Sequence, residues 1–144
     1  TALAGVTDFF ATIDGDQAGT PSTATGSLTG SYDSVANTFT FSYDITGDLI
    51  GDPGAPGAHL HNAPAGSSGP IVFSFSSGEW DLSSTETWTD LSSENVDDLF
   101  AGNIYINFHT SAYPGGEIRG QIIPAPAGAA LLGLAGLAGV RRRR

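Results

Sequence analysis

Residues 103–123, NIYINFHTSAYPGGEIRGQII, have the pattern of two β-strands joined by a turn. From residue 104 to residue 109, aliphatic or Phe side chains alternate with polar or Tyr side chains, the period of two expected of a strand with two different faces. Residues 113–116 then supply a proline, which presets φ, and two glycines, which tolerate positive φ. Alternation resumes over 117–123, so this stretch predicts a hairpin with a longer loop.

The chain has only three histidines, and their spacing suggests a shared site. His59 and His61 are two residues apart in a short extended segment, so their side chains point to the same face. His109, at the end of the first hairpin strand, would supply a third nitrogen. Three histidines with an open coordination position suit copper or zinc. The alternative is that the three rings hydrogen-bond to loop backbone and hold one end of the domain closed.

Two segments resemble the CHRD domain, named after chordin: residues 58–75, AHLHNAPAGSSGPIVFSF, and residues 99–122, LFAGNIYINFHTSAYPGGEIRGQI. The shared features are His-x-His, Gly-Pro before an apolar strand, Leu-x-x-Gly-x-x-Tyr-x-Asn-x-His-Thr and Pro-Gly-Gly-Glu-Ile-Arg-Gly-Gln. Asn62 replaces the usual glycine after His-x-His. The resemblance, over residues 6–123, implies a secreted all-β sandwich, immunoglobulin-like or Cu,Zn superoxide dismutase-like. Since a His-x-His binds copper in dismutase-like sandwiches, it supports the metal interpretation by analogy of fold.

Composition predicts one acidic domain, residues 1–123, followed by a different tail, residues 124–144. The chain has 15 acidic residues, no lysine and five arginines, four of which end the chain. The body therefore has Arg119 as its only cation and a net charge of about −14, which disfavours nucleic acid and anionic lipid headgroups as partners. Cysteine is absent, so disulfides and thiolate metal sites are excluded.

Local patterns place about seven strands and one short helix in the body, which indicates an antiparallel β-sandwich. Residues 51–57, GDPGAPG, are predicted to be irregular because proline and glycine punctuate them. A helix is predicted over 93–101, with Ser93 as N-cap and Gly102 as the C-terminal stop. The strands predicted outside the hairpin are 6–13, 25–32, 38–45, 59–61 and 71–75.

The tail consists of an apolar stretch, residues 125–140, and four terminal arginines. As a helix of 16 residues it would span about 24 Å, short of the ~30 Å hydrocarbon core. The arrangement resembles bacterial PEP-CTERM sorting signals, which implies cleavage near residues 124–127. A retained helix would instead contact the membrane or pack against other copies. Thr1 is expected to be the N-terminus left by an earlier cleavage.

Two further sets of polar residues are candidate sites. Glu117 and Arg119 share a strand face, which predicts a structural ion pair, with a carboxylate-binding site as the alternative. Asp14 and Asp16, or Asp48 with Asp52, offer oxygen ligands for calcium, although aspartates in loops are more often simply solvated. The chain contains no EF-hand loop, P-loop, dinucleotide-binding glycine motif or Gly-x-Ser-x-Gly elbow.

Together these patterns predict a secreted, non-enzymatic protein of the bacterial surface or extracellular matrix. It would bind other copies, as an oligomer or filament, or other matrix components. Residues 1–10 are expected to be exposed and to add to a neighbour's sheet. The alternative function is copper or zinc binding through His59, His61 and His109, with redox chemistry as an extension; calcium is the less favoured ion.

Overall fold

The structure, a computed structural model, describes residues 4–126. The predicted apolar helix, apart from its first two residues, and the arginine cluster lie outside the described residues. The described part contains nine strands and two short helices. The strands are β1 Val6–Asp14, β2 Thr25–Asp33, β3 Thr38–Thr46, β4 Pro53–Asn62, β5 Ile71–Ser76, β6 Ser83–Thr89, β7 Ile104–Thr110, β8 Ile118–Gln121 and β9 Ile123–Pro124, and the helices are α1 Gly15–Ala18 and α2 Ser93–Ala101.

The strands form one antiparallel sheet that folds into two layers, which confirms the predicted all-β sandwich. Its order is β5-β4-β7-β8-β1-β2-β3-β6, with β9 paired to β1. Between β8 and β1 the only paired residues are Asp14 and Arg119, and here the sheet turns from one layer to the other. The two ends of the sheet are β5 and β6, which do not pair with each other. There Phe73 of β5 stacks on Trp88 of β6 with ring centroids 5.7 Å apart, so side-chain packing joins the two layers.

The core lies between the layers and follows the alternation of the strands. In β3, Phe39, Phe41, Tyr43 and Ile45 are all at most 4% exposed, whereas the residues between them face outward. Full burial of each such apolar side chain contributes roughly 1.5–3 kcal/mol before entropic costs. Leu60 of β4 and Ile106 of β7 enter the same core, which fixes the face to which their neighbours in sequence must point.

The prediction that residues 51–57 are irregular is wrong for most of that stretch, because β4 begins at Pro53. Against β7, Pro53 lies opposite Thr110, but Ala58 already lies opposite Phe108. The extra residues of β4 form a bulge, which is where a strand tolerates proline and glycine. After the bulge, the pairing of β4 with β7 is regular from Ala58 to Asn62.

The helices also differ in detail from the prediction. A one-turn helix, α1, lies between the first two strands, where the sequence pattern predicted neither strand nor helix, and Asp14 caps it by accepting a hydrogen bond from the Gln17 amide at 2.8 Å. The second helix, α2, has the predicted bounds, but its N-cap is Ser92, whose hydroxyl accepts from the Asn95 amide at 3.1 Å. A cap must lie one residue before the first helical residue, so Ser93 is inside the helix.

From Val6 onward the N-terminal segment is a strand of the chain's own sheet, and the prediction that it is free to add to a neighbour's sheet is wrong at Phe9 and Phe10, which are paired on both edges. All nine residues of β1 pair with β2, and Phe9 also lies opposite Pro124 of β9. The Ala125 amide donates to the Asp8 carbonyl at 2.8 Å, so the folded body continues just past the boundary predicted at residue 123. Within residues 4–126, neither helix has the length and hydrophobicity needed to cross a membrane.

Candidate metal centre

The three histidines lie on two adjacent strands of one layer. In the pairing of β4 with β7, His59 is opposite Asn107 and His61 is opposite Tyr105. Residues opposite each other share a face of the sheet, and His109 follows on that face two residues after Asn107. Because the intervening residues point into the core, the histidines occupy the face that points away from it. All seven residues of β7 are nevertheless buried, since loops cover this outer face.

The histidine rings converge closely. Their ring centroids are 5.6 Å apart for His59 and His61, 5.0 Å for His59 and His109, and 5.8 Å for His61 and His109. One nitrogen from each ring lies within 4.8 Å of the corresponding nitrogens of the other two. Metal–nitrogen bonds of about 2.0–2.1 Å place such nitrogens roughly 3.4 Å apart. A modest inward movement of the rings would therefore let all three bind one ion.

Backbone carbonyls orient two of the rings. His61 Nδ1 is 2.9 Å from the Gly69 carbonyl oxygen and His109 Nδ1 is 2.8 Å from that of Pro114. A carbonyl only accepts, so in each neutral ring Nδ1 carries the proton and Nε2 keeps its lone pair. This is the outer-shell arrangement that typically fixes the tautomer of a metal-binding histidine.

Among residues 4–126, two buried ring nitrogens find no hydrogen-bond partner: His59 Nδ1 and His61 Nε2. The third nitrogen, His109 Nε2, has only the Asn107 amide at 3.5 Å. His59, His61 and His109 are 3%, 8% and 5% exposed, so bulk water does not compensate. Buried polar groups are normally paired, and an exception requires an explanation.

The pKa of each histidine is lowered, chiefly by burial. The positive charge that His109 and His61 would carry lowers the pKa of His59 further, whereas the Pro56 and Ser76 carbonyls oppose the shift. For His61 the Gly69 carbonyl opposes the effect of burial, while His109 and Arg119 add to it. The rings are therefore neutral at pH 7, which is the form that binds metal ions.

Tyr105 and Arg119 form one wall of the site. The Tyr105 ring stacks on His61 with centroids 5.1 Å apart and planes 13° from parallel. The Arg119 guanidinium carbon lies 3.4 Å from the centre of the Tyr105 ring. The Tyr105 hydroxyl accepts from the Gly69 amide at 3.1 Å, so the glycine that orients His61 is itself held by the residue that stacks on His61.

The Pro-Gly-Gly turn supports the other side. The Asn107 side-chain amide donates to the Gly115 carbonyl at 3.1 Å, next to the Pro114 carbonyl that orients His109. Gly116 has φ +117°, and a Cβ there would overlap the Asn107 side chain. A glycine is therefore required at this position for both conformation and space.

Glu117 and Arg119 do not form the predicted ion pair, because each has other partners. Glu117 is fully buried, and burial alone would raise its pKa, but four hydrogen bonds outweigh burial and lower the pKa below its usual value. These bonds come from Ser22 Oγ at 2.6 Å, the Ile50 amide at 2.7 Å, the Gly51 amide at 3.0 Å and Thr110 Oγ1 at 2.7 Å.

Arg119 instead fastens the loop after β4 over the histidine face. Its guanidinium donates to the Ser67 carbonyl at 2.6 Å, the Pro64 carbonyl at 3.2 Å and Gln121 Oε1 at 3.1 Å. The same guanidinium also stacks on the Tyr105 ring. Backbone carbonyls and an aromatic ring thus replace the expected carboxylate partner.

Of the aspartates predicted as calcium ligands, Asp14 is engaged as the N-cap of α1. Both carboxylate oxygens of Asp14 accept from Gln17, at 2.8 Å from its amide and 2.9 Å from its side chain. Asp16 is exposed in the first turn of α1. Within residues 4–126 the three histidines are the only group of three or more His, Cys, Asp or Glu side chains whose ligand atoms converge. Calcium binding at Asp14 and Asp16, or at Asp48 and Asp52, stays a prediction.

Three residues around the site were not singled out from the sequence: Tyr105, Asn107 and Gly69. The first two alternate with His109 in the same strand, so the period of two already placed them on the histidine face. Gly69 had no comparable signal, because it reaches His61 through the fold of a loop.

The fold and the site define an all-β sandwich domain with a buried cluster of three histidines on the outer face of one layer. The family model for the CHRD domain matches residues 9–122, and the chain belongs to this family. All the residues of the histidine site lie in the matched range. No curated protein matches the chain significantly. CHRD domains are typically extracellular or secreted, and membership of the family indicates an extracellular domain.

Proposed function

We propose that this domain binds one copper or zinc ion through His59, His61 and His109. The observation that carries the proposal is the pair of buried, unpartnered nitrogens, His59 Nδ1 and His61 Nε2. Leaving a buried polar group unpaired costs about 1–3 kcal/mol. A bound ion would satisfy both nitrogens, together with His109, at once.

The surroundings support binding rather than catalysis. The three rings are at most 8% exposed, and the loop held by Arg119 covers them, which leaves a substrate little access. The ion would join β4 to β7 and, through the carbonyls of Gly69 and Pro114, to two covering loops. We therefore propose a non-enzymatic extracellular domain whose histidine-bound ion reinforces this end of the sandwich.

Metal analysis of the purified full chain tests the proposal. After loading with copper or zinc and removal of excess ion, we expect one equivalent per chain by plasma mass spectrometry. His109→Ala should abolish stoichiometric uptake. Asp16→Ala is the matched control, because it removes an exposed predicted calcium ligand and leaves the histidines untouched. Folded protein that retains neither metal, or that retains as much after His109→Ala, would refute the proposal.

A second candidate function, self-association, is favoured by the two ends of the sheet. Within the described residues, β5 and β6 each pair with one strand only, and unpaired edges are templates for strand addition. Ile71 at the start of β5 is 51% exposed and Leu82 just before β6 is 47% exposed. We propose that copies of the chain, or other surface or matrix components, add at these edges.

Light scattering and electron microscopy at high protein concentration test this candidate. We expect oligomers or filaments from the unaltered chain. Ser74→Lys, on exposed edge strand β5, should reduce assembly because a charged edge side chain opposes strand addition. Thr12→Lys adds the same charge on β1, which is paired on both sides, and should leave assembly unchanged. Monomers alone, at all concentrations, would exclude this candidate.

A further inference from the structure

We propose that the histidine site selects monovalent copper, Cu(I), over divalent ions. This inference rests on the proposed metal binding and specifies the charge of the ion that the site prefers. Its basis is that the site offers three neutral nitrogens, in a buried position, beside a fixed positive charge.

The donor set leaves the charge of the ion uncompensated. No Asp or Glu side chain joins the histidines in the converging group found within residues 4–126. The nearby carboxylate of Glu117 has both oxygens engaged by four hydrogen bonds elsewhere. A bound Cu(I) would therefore leave one positive charge in the site, and Zn(II) or Cu(II) would leave two.

Burial of the site increases the energetic difference between binding a monovalent and binding a divalent ion. The histidine side chains are 3–8% exposed, so an ion bound among them loses most of its hydration. Transferring an ion out of water remains costly even after the protein relaxes, and in the Born treatment the cost rises with the square of the charge. A second charge is consequently penalised much more than the first.

Arg119 adds a positive charge behind the site. Its guanidinium is stacked 3.4 Å from the Tyr105 ring, whose other face stacks on His61 at 5.1 Å. The guanidinium is fixed there by the Ser67 and Pro64 carbonyls. At any fixed separation, the repulsion between the guanidinium and a bound ion is twice as large for a divalent as for a monovalent ion.

Coordination number points the same way. Zinc held by three protein ligands takes its fourth ligand from water, whereas the described part of the chain supplies no fourth converging His, Cys, Asp or Glu and leaves the three rings only 3–8% exposed. Cu(I), a d¹⁰ ion of single charge, is satisfied by three nitrogen donors.

The experiment compares the two oxidation states of copper in the full chain. Cu(I) affinity is measured anaerobically against bicinchoninate, Cu(II) affinity is measured by competition with glycine, and copper in excess free imidazole is the reference for the intrinsic preference of the donors. We expect the ratio of Cu(I) to Cu(II) affinity in the protein to exceed that of the imidazole reference by at least about a hundredfold. Zn(II) should be displaced by equimolar Cu(I).

Variants at residue 119 test the electrostatic part. Arg119→Gln should lower the ratio by roughly tenfold, because the divalent ion gains more from removal of the charge. Arg119→Lys keeps the charge and should retain the wild-type ratio. Stoichiometric Cu(I) binding by each variant confirms that the site is intact. If Arg119→Gln does not fold, the comparison of the unaltered chain with free imidazole still tests Cu(I) selection.

Different outcomes would refute metal binding and Cu(I) selection. No copper bound in either oxidation state would refute the proposed function. Copper bound with an affinity ratio equal to or below the imidazole reference would overturn Cu(I) selection and leave metal binding standing.

Discussion

At the scale of single residues, Glu117 shows how a buried charge is held without a counter-ion. Its carboxylate is fully buried and accepts hydrogen bonds from two backbone amides and two hydroxyls. The donors come from three parts of the chain: the loop after α1, strand β7, and the segment that precedes β4. One side chain therefore connects all three. The charged state of such a buried group depends on all its donors being present.

Glu117→Gln should therefore destabilise the domain by about 2–4 kcal/mol. The amide that replaces one carboxylate oxygen would direct its own hydrogens at groups that donate. Urea denaturation at pH 7 measures the change. Glu86→Gln is the control: Glu86 accepts a single hydrogen bond from Ser84, and its replacement should change the free energy of unfolding by less than about 0.5 kcal/mol.

The lowered pKa of Glu117 also predicts acid sensitivity. Because its hydrogen bonds hold the folded-state pKa below the usual value of 4.5, its contribution to stability is complete above that value. The contribution is lost as the pH falls below 4.5 and through the folded-state pKa. Stability measured from pH 6 to pH 3 should decline less steeply for Glu117→Gln than for the unaltered chain; parallel curves would contradict the assignment.

At the scale of elements, the turn between β7 and β8 positions the site as much as the strands do. Gly116→Ala should destabilise the hairpin by about 1–3 kcal/mol, because the residue has φ +117° and the new methyl group would overlap Asn107. We also expect weaker metal binding, since the Asn107 and His109 side chains both hydrogen-bond to carbonyls of this turn.

Gly115→Ala is the matched control, because a Cβ there meets nothing within 4 Å. Thermal unfolding and metal titration of both variants check the prediction. Equal effects of the two substitutions would show that the turn tolerates a side chain at residue 116.

The N-cap of α2 gives a second prediction at this scale. Ser92→Ala should cost about 1 kcal/mol, since it removes the acceptor for the Asn95 amide. Ser93→Ala, one residue later and inside the helix, should be neutral or slightly stabilising because alanine is the better helix former. Chemical denaturation of the two variants distinguishes the two serines. A larger loss of stability from Ser93→Ala than from Ser92→Ala would identify residue 93 as the N-cap.

At the scale of the whole molecule, metal binding and stability are coupled. A metal present at one hundred times its dissociation constant adds about 2.7 kcal/mol to the free energy of unfolding, and each kcal/mol raises Tm by roughly 3–6 °C in a domain of this size. Calorimetry with and without the ion should show this rise in the unaltered chain and not in His109→Ala. A chelator should reverse it.

The metal-free protein should lose stability in mild acid. Burial lowers the pKa of all three histidines below 6.5, so below pH 6.5 the unfolded chain binds more protons than the folded chain. Stability is therefore full above pH 6.5 and falls as the pH decreases from there. Thermal unfolding between pH 8 and pH 5 checks the direction; a stability that rises toward pH 5 would contradict neutral buried rings.

Much of this organisation followed from local pattern. The period of two predicted the strands of the sandwich and placed His59 with His61 on one face, because side-chain direction in a strand depends only on the backbone of that strand. The predicted ion pair is wrong because contacts with distant segments do not follow from the pattern of one strand. The sequence pattern placed Glu117 and Arg119 on one strand face, but β8 begins only at Ile118, and their partners, such as Ile50 and Ser67, come from segments more than fifty residues away.

The sequence by itself thus determined the fold class, the hairpin and the three histidines as one candidate set. Only the tertiary structure decided that their outward face is buried, that two ring nitrogens lack partners, and that Arg119 lies behind Tyr105 rather than beside Glu117. The physical reason is that alternation sets the direction of a side chain relative to its own sheet. What covers that face depends on loops brought there by long-range pairing, and such contacts leave no periodic trace in the chain.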